Sequence, residues 1–473
     1  MISPHTHFIW FSLLLAFAFF ATSYHQPFFW DTIQLGAQHA HFFYDNNFRL
    51  WLLPDEIDSG HFPMFGMYLA IVWKILGKSL LSGHLAMLPV NFLLIYGICR
   101  FTALFFVGKW SWVIIILLLA EPALTTQMQL ISPDVVLMTS FIWTLYGIYT
   151  RNKTILVFSY MVLCLISMRG LFLGVGISSF FIFSLLFNRQ SNQSDYFFLK
   201  AAIPGLMLSL GYMLIHWYAK NWVGFHQDSP WAKSFLWADA WQMIRNLAVI
   251  CWRMADHGRI FGIAFLILIL IINHRIYLHD AKLKKSCTLF GFVSVPLLVP
   301  GIVFSQLTAH RYYMPVYFLL IFGLGYIIYN SSINTAFKKT IIGVSFIALL
   351  SGHFWKYPDH IAQGWDCVLM HRPYFSLHDK MLEYLSEHDI RSNEVATFFP
   401  SLAPKKFTHL NSDRTTFLPW GDSAAVYVYI SSVHNDAPDS VWRKIKNIKP
   451  VWYEKKGLLH SGLYRMDDIN SDE

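Results

Sequence analysis

The chain has 473 residues, of which 55% are hydrophobic, 18% aromatic and only 14% charged, a balance too apolar for a soluble protein of this length. The net charge of +8 is uneven: residues 356–473 hold 14 Lys/Arg against 16 Asp/Glu, and the part before them holds 22 against 12. A basic excess confined to the apolar part is a membrane-topology signal and not a nucleic-acid footprint.

Along the chain, the first apolar run, 8–24, has no basic segment before it and no small-x-small cleavage site after it. It is expected to stay as the first span. Residues 25–48, "HQPFFWDTIQLGAQHAHFFYDNNF", then place Asp31 in a stretch too aromatic for an ordinary hydrophilic loop. They read as an interfacial helix, with Asp31 either directed at a ligand or capping "TIQLGAQHA". "DSGHFP", holding Asp58 and His61, leads into the apolar run Met64–Gly77, which has 14 residues. At about 1.5 Å per residue that run is too short to cross a bilayer. It is expected to lie at the interface, with Trp73 and Lys74 at headgroup depth.

Ten further spans are predicted at 84–106, 110–126, 134–150, 154–168, 170–187, 199–219, 258–273, 287–304, 312–330 and 339–355. Eleven spans put the termini on opposite sides. The connections near Lys109, Arg151–Lys153, Arg189–Lys200, Arg275–Lys285 and Lys338–Lys339 hold eleven basic residues, and Gln127–Pro133 holds none. The N-terminus is therefore expected in the cytoplasm and the 25–83 loop outside. Past Trp355 the texture changes. "DKMLEYLSEHD" and "DSVWRKIKNI" read as helices, "EVATFFPS" and "AAVYVYISS" as strands, and "PVWYEKKGLLHSGLYRM" as a hairpin turning at Lys456–Gly457. The predicted fold class is thus a polytopic α-helical membrane protein, residues 1–355, with a small extracytoplasmic α/β domain, residues 356–473. The five cysteines (Cys99, Cys164, Cys251, Cys287, Cys367) are scattered and form no CxxC pair, so neither a disulfide framework nor a zinc site is suggested.

Acids and arginines at a membrane face are costly and hence informative. On the outer side stand Asp31, Asp58 with His61, Asp134 in "LISPDVV", Arg169 in "SMRGLF" and Arg311 in "AHRYYMP". Such a set suits sugar transfer from a lipid phosphate. A carboxylate takes the proton of the acceptor hydroxyl, and cationic groups bear the charge growing on the leaving phosphate.

The order of these features resembles the C-type glycosyltransferases (GT-C fold), in particular the families of the lipid A aminoarabinose transferase and the protein O-mannosyltransferases. The matching stretches are Asp31 after the first span, "GHFPMFGMYLAIVWKILG" (Gly60–Gly77), Pro133–Asp134, Arg169 and Arg311–Pro315. The resemblance covers about residues 25–330. It implies about eleven transmembrane helices with interfacial helices in the first outer loop, and an inverting transfer of a sugar from a polyprenyl-phosphate donor to a glycan, lipid or protein hydroxyl at the outer face of a bacterial inner membrane. It implies Asp31 as catalytic base, Arg169 and Arg311 as holders of the donor phosphate, and Asp134 as metal ligand or acceptor-positioning group. Where the related transferase has a Glu before its Pro-containing motif, this chain has Gly60; Asp58 or His61 would have to substitute as ligand of a divalent cation (Mg, Mn or Zn). Two rival readings stay open: a transporter or flippase of a lipid-linked or polar solute, and a non-enzymatic envelope-assembly scaffold.

Overall fold

Seven helices among the described residues are long and apolar enough to cross a membrane: His5–Ser23, Leu80–Thr102, Met168–Phe187, Asp195–Lys220, Leu283–Val303, His310–Asn330 and Thr335–Phe354. The computed structural model describes residues 4–187, 193–226, 232–273, 281–413 and 416–470. Arg189 and Arg275, two of the basic residues that orient the predicted topology, lie outside these. An eighth span results if Ala240–Ala255 and Arg259–Ile272 count as one, although they are bent by 86°. The bend sits at His257 and Gly258, both at positive φ (51° and 84°). A Cβ on Gly258 would lie 1.9 Å from the Ala348 carbonyl oxygen, so the turn needs glycine there.

The predicted count of eleven spans is not reached, and the reasons are local. The run 110–126 divides into helices Lys109–Leu119 and Pro122–Gln127. Glu121 stands between them and caps the second by accepting from the Leu124 amide at 2.7 Å. The run 154–168 makes a 14-residue helix, Lys153–Ile166, ended by the extended Ser167. Helix Pro133–Thr150 has 18 residues but carries Asp134, Thr139, Ser140 and Thr144, all buried. It packs inside the bundle, beside Lys153–Ile166 and Leu80–Thr102.

The spans differ in how they meet neighbours. His310–Asn330 is the most enclosed, with 61% of its most apolar stretch buried, and His5–Ser23 is peripheral at 22%. The latter leaves Trp10, Leu14 and Phe17 exposed, as a lipid-facing helix should. In the first loop, a π-helix at Ile33–Gln38 runs into helix His39–Asp45, against which Met64–Leu76 packs. Gly66 permits that contact, since a Cβ there would lie 2.4 Å from the His39 Cβ. Trp73 does not sit at a headgroup boundary as expected; it is fully buried against His41 and Tyr44. Lys74 does lie outward, bonding Asn47 at 2.7 Å above the Tyr44 ring.

The C-terminal part forms a five-stranded mixed sheet from β1 (Val395–Thr397), β2 (Leu418–Pro419), β3 (Tyr427–Ser431), β4 (Trp452–Lys456) and β5 (Leu459–Arg465), in the order β2-β1-β3-β5-β4. β1 is parallel to β2 and β3; β5 is antiparallel to β3 and β4. The β4–β5 hairpin turns at Gly457, where φ is +60°. Helix Asp439–Ile445 covers one face through Val441, Trp442 and Ile445, and helix Pro373–Glu387 the other through Met381 and Leu385. A further apolar cluster joins this part to the rest: Phe29 of the first loop and Leu130 pack with Trp365, Val368, Tyr374 and Leu459. Phe29 also stacks on His371 at 4.8 Å. The segment between the last span and the sheet is thereby clamped over Asp31.

Candidate active site

Asp31 follows Trp30, whose φ of +51° is a left-handed conformation that a bulky residue seldom adopts. The π-helix begins two residues later, a form often found at functional sites. Asp31 does not cap that helix: Thr32 is the N-cap, and its hydroxyl bonds the Phe29 amide and carbonyl instead. The Asp31 carboxylate is turned to Arg311 and paired with its Nη2.

Arg311 is the hub of the site. It lies in the 3-10 turn His310–Tyr313 at the mouth of the most enclosed span. Its Nη2 holds Asp31, its Nη1 holds Asp366, and its Nε faces Asp134 Oδ2 at 3.5 Å. Arg169, at the start of helix Met168–Phe187, holds the other oxygen of Asp134 at 2.6 Å and lies 4.4 Å above the Tyr312 ring. Asp134 is set by Pro133 at the first turn of its helix and by Ser132, which accepts from its amide at 3.1 Å. Four predicted residues, Asp31, Asp134, Arg169 and Arg311, therefore meet at one place, from four separate elements.

The cluster holds three carboxylates against two guanidiniums, a surplus of one negative charge in a buried setting. Burial drives the Asp31 carboxyl up to about 6, the Asp366 and Asp134 charges push the same way, and Arg311 and Arg169 oppose them. The guanidiniums differ in what they have left. Arg311 has both terminal nitrogens occupied, whereas Arg169, which lies over the Tyr312 ring, is ion-paired with Asp134 alone among the described residues and keeps 15% of its side chain exposed.

Asp58 makes no contact with this cluster among the described residues, and His61 borders it without an ion pair. Asp58 Oδ2 accepts from Lys220 at 2.6 Å and sits 3.0 Å from His216 Nε2, and its Oδ1 accepts from the Gly60 amide at 2.9 Å. Burial works against this carboxylate, but those bonds outweigh it and hold its pKa below the usual value. His61 accepts from the Met168 amide at 3.3 Å, next to Arg169. Burial first, then Arg169, lower its pKa to about 3, so it is neutral at physiological pH. His39 and His41 bond backbone carbonyls, of Ile57 and Ala37.

Two groups escape a reading of the sequence. One is Asp366, in the 3-10 turn Trp365–Cys367 beyond the last span. Its only signal is that "GWD", like "FWD" at Asp31, sets an acid directly after a tryptophan. The other is a buried network one residue away along the chain. Arg259 pairs with Glu121 and Asp256, each at 2.6 Å, and Asp256 Oδ2 meets His310 Nε2 at 2.6 Å and the Tyr357 hydroxyl. Arg253 bonds the Tyr357 hydroxyl and the Ala362 carbonyl. The charges in "LAEPAL" and "RMADHGRI", set inside apolar runs, were its available signal.

Asp256, His257 and His310 form a possible metal-ligand group, their ligand atoms all within 4.8 Å of one another. The donor types suit a transition metal, and both ring nitrogens of His257 are buried without a hydrogen-bond partner, Nε2 lying 3.9 Å from Asp256 Oδ2. The charges do not suit it. Glu121 and Asp256 already balance Arg253 and Arg259, and a dication would add two uncompensated charges to a buried site. Asp134, Asp58 and His61 make no such group among the described residues.

The fold is that of the C-type membrane glycosyltransferases. Along 97% of its length the chain is similar to 98% of the crystal structure of ArnT from Cupriavidus metallidurans bound to undecaprenyl phosphate, with a TM-score of 0.50 and 10% identity. At that identity the likeness speaks for the fold alone. The arabinofuranosyltransferase AftD from Mycobacteria aligns with 88% of this chain and 32% of its own, at a TM-score of 0.47 and 13% identity. No protein-family model and no curated protein matches the chain.

Proposed function

We propose that this protein is an integral membrane glycosyltransferase that moves a sugar from a polyprenyl-phosphate donor to an acceptor hydroxyl, with inversion, at the outer face of the membrane. The observation that carries the reading is the meeting of Asp31, Asp134, Arg169 and Arg311 in one buried cluster within a C-type fold. The undecaprenyl phosphate bound to the structurally similar ArnT supports a lipid-phosphate donor.

In this reading Asp31 takes the proton of the acceptor hydroxyl. The acceptor oxygen forms a bond to the anomeric carbon from the face opposite the phosphate. The bond from that carbon to the phosphate oxygen breaks, and its electron pair leaves with the lipid phosphate. A phosphate departs as an anion, so no general acid is needed. Arg169 is the better phosphate holder, because it keeps donors that Arg311 has committed to carboxylates. Asp134 fixes both guanidiniums. The orientation is proposed as in the sequence reading, with the N-terminus cytoplasmic, in a bacterial inner membrane. Residues 356–473 form the extracytoplasmic domain, with the stretch around Asp366 contributing to the site.

The test is transfer by the purified protein with a panel of polyprenyl-phosphate sugars, reading release of polyprenyl phosphate. Activity that survives unchanged in Asp31→Asn removes the base assignment.

A further inference from the structure

Asp366 is held in place from several sides. Its carbonyl oxygen accepts from Gln127 Nε2 at 2.9 Å, and the Gln127 Oε1 accepts in turn from Ser132, the cap of the Asp134 helix. Trp365 before it is buried with Phe29 and Val368, and Cys367 after it has no exposed surface. Gly364 lets the segment approach, since a Cβ there would lie 2.5 Å from His310 Nδ1. So anchored, the 5%-exposed Asp366 carboxylate meets Arg311 Nη1 while Asp31 meets Nη2.

A guanidinium serving one buried carboxylate would bind it as a tight ion pair and leave it a poor base. Here a second carboxylate takes half of that guanidinium and adds its own negative charge beside the first. Both effects raise the affinity of Asp31 for a proton.

We propose that Asp366 is a positioning residue, which divides Arg311 between two carboxylates and so keeps Asp31 basic enough to accept a proton from an acceptor hydroxyl. The segment after the last span is then part of the catalytic machinery. This rests on the reading of Asp31 as base. The charged and titratable groups around Asp31 are Arg311 and Tyr312 from the 310–313 turn, Asp366 from the 365–367 turn, Arg169 from the start of one helix and Asp134 from the start of another. Burial pushes its carboxyl up the most; of these groups, Asp366 and Asp134 add to that push, Asp366 the more.

The experiment is an infrared titration of full-length protein in detergent, with the Asp31 carboxyl band assigned by its loss in Asp31→Asn. The parent is expected to titrate near pH 6. Asp366→Asn is expected to move that midpoint down by about one pH unit or more, and Asp366→Glu to restore most of it. Should Asp366→Asn fail to fold, Asp366→Ser removes the same charge in a smaller side chain. A folded charge-free variant whose Asp31 midpoint is unmoved overturns the proposal. The titration uses no sugar donor, so it is decided independently of transfer. If Asp31→Asn still transfers sugar, the base reading fails whatever the Asp366 variants show.

Discussion

Asp31 and Asp366 bond opposite terminal nitrogens of the same guanidinium, that of Arg311. One comes from the loop after the first span and the other from the turn beyond the last, so the two ends of the membrane part close on each other at this point. Asp134 faces the Nε of the same side chain. The arrangement commits Arg311 to carboxylates and leaves a surplus negative charge that adds to burial in holding the Asp31 carboxyl up.

Transfer should depend on pH through Asp31. Its pKa lies near 6, above the ordinary value of 3.8, and the ionised form is the base. Rate should therefore be low below pH 6, rise through that value and level off above it. Asp31→Asn should lose about 100- to 10,000-fold at the plateau. A pH–rate profile of polyprenyl-phosphate release measures both.

Arg169 should act mainly on the donor. Arg169→Ala removes a guanidinium with donors to spare, and the loss of a charge-assisted bond of about 1.5–3 kcal/mol predicts roughly a 10- to 150-fold fall in kcat/KM for donor. Arg169→Lys should recover only part of it, because an ammonium cannot bridge Asp134 and a phosphate in one plane. Steady-state kinetics at varied donor concentration gives the answer.

Asp58 should matter for stability and not for the chemistry. It neutralises Lys220 in a nearly closed pocket. Asp58→Ala leaves that ammonium to the more exposed Asp55 alone, 2.8 Å away, and the loss of the buried charge-assisted bond costs about 1.5–3 kcal/mol, visible as a lowered melting temperature in detergent. Because its folded pKa is depressed, the stabilisation is present above the ordinary carboxylate value and is lost as pH falls through the depressed one. Melting temperatures of parent and variant should converge on acidification, and the pH–rate midpoint of the variant should stay where it is.

Gly364→Ala should be disruptive where another glycine is not. The new methyl would lie 2.5 Å from His310 Nδ1, beside Arg311, so the 364–367 segment or the His310 ring must shift. Overpacking of this kind costs about 1–3 kcal/mol, and a displacement of about 1 Å at the site costs about 100-fold in rate. Gly343 sits in a helix interior with open space around it, and Gly343→Ala should raise stability by up to about 1 kcal/mol. Paired melting curves and transfer assays separate the two.

The sequence by itself determined the class of fold and most of the ingredients of the site. Long apolar runs can only be satisfied as helices in a bilayer, and alternating strands with a glycine turn marked the C-terminal sheet before its register was known. Asp31, Asp134, Arg169 and Arg311 stood out because charge beside apolar spans is expensive and needs a reason. The helix breaks at Glu121 and Ser167, and the 86° bend at His257–Gly258, were not legible in the same way. A hydropathy run records how apolar a stretch is and not where its backbone turns. Only the tertiary structure decided that Asp58 belongs to Lys220, that Arg311 is saturated while Arg169 is not, and that Asp366 completes the cluster. Which charges pair depends on distances of a few ångströms between residues remote in the chain, set by how helices and turns pack, and no local pattern encodes them.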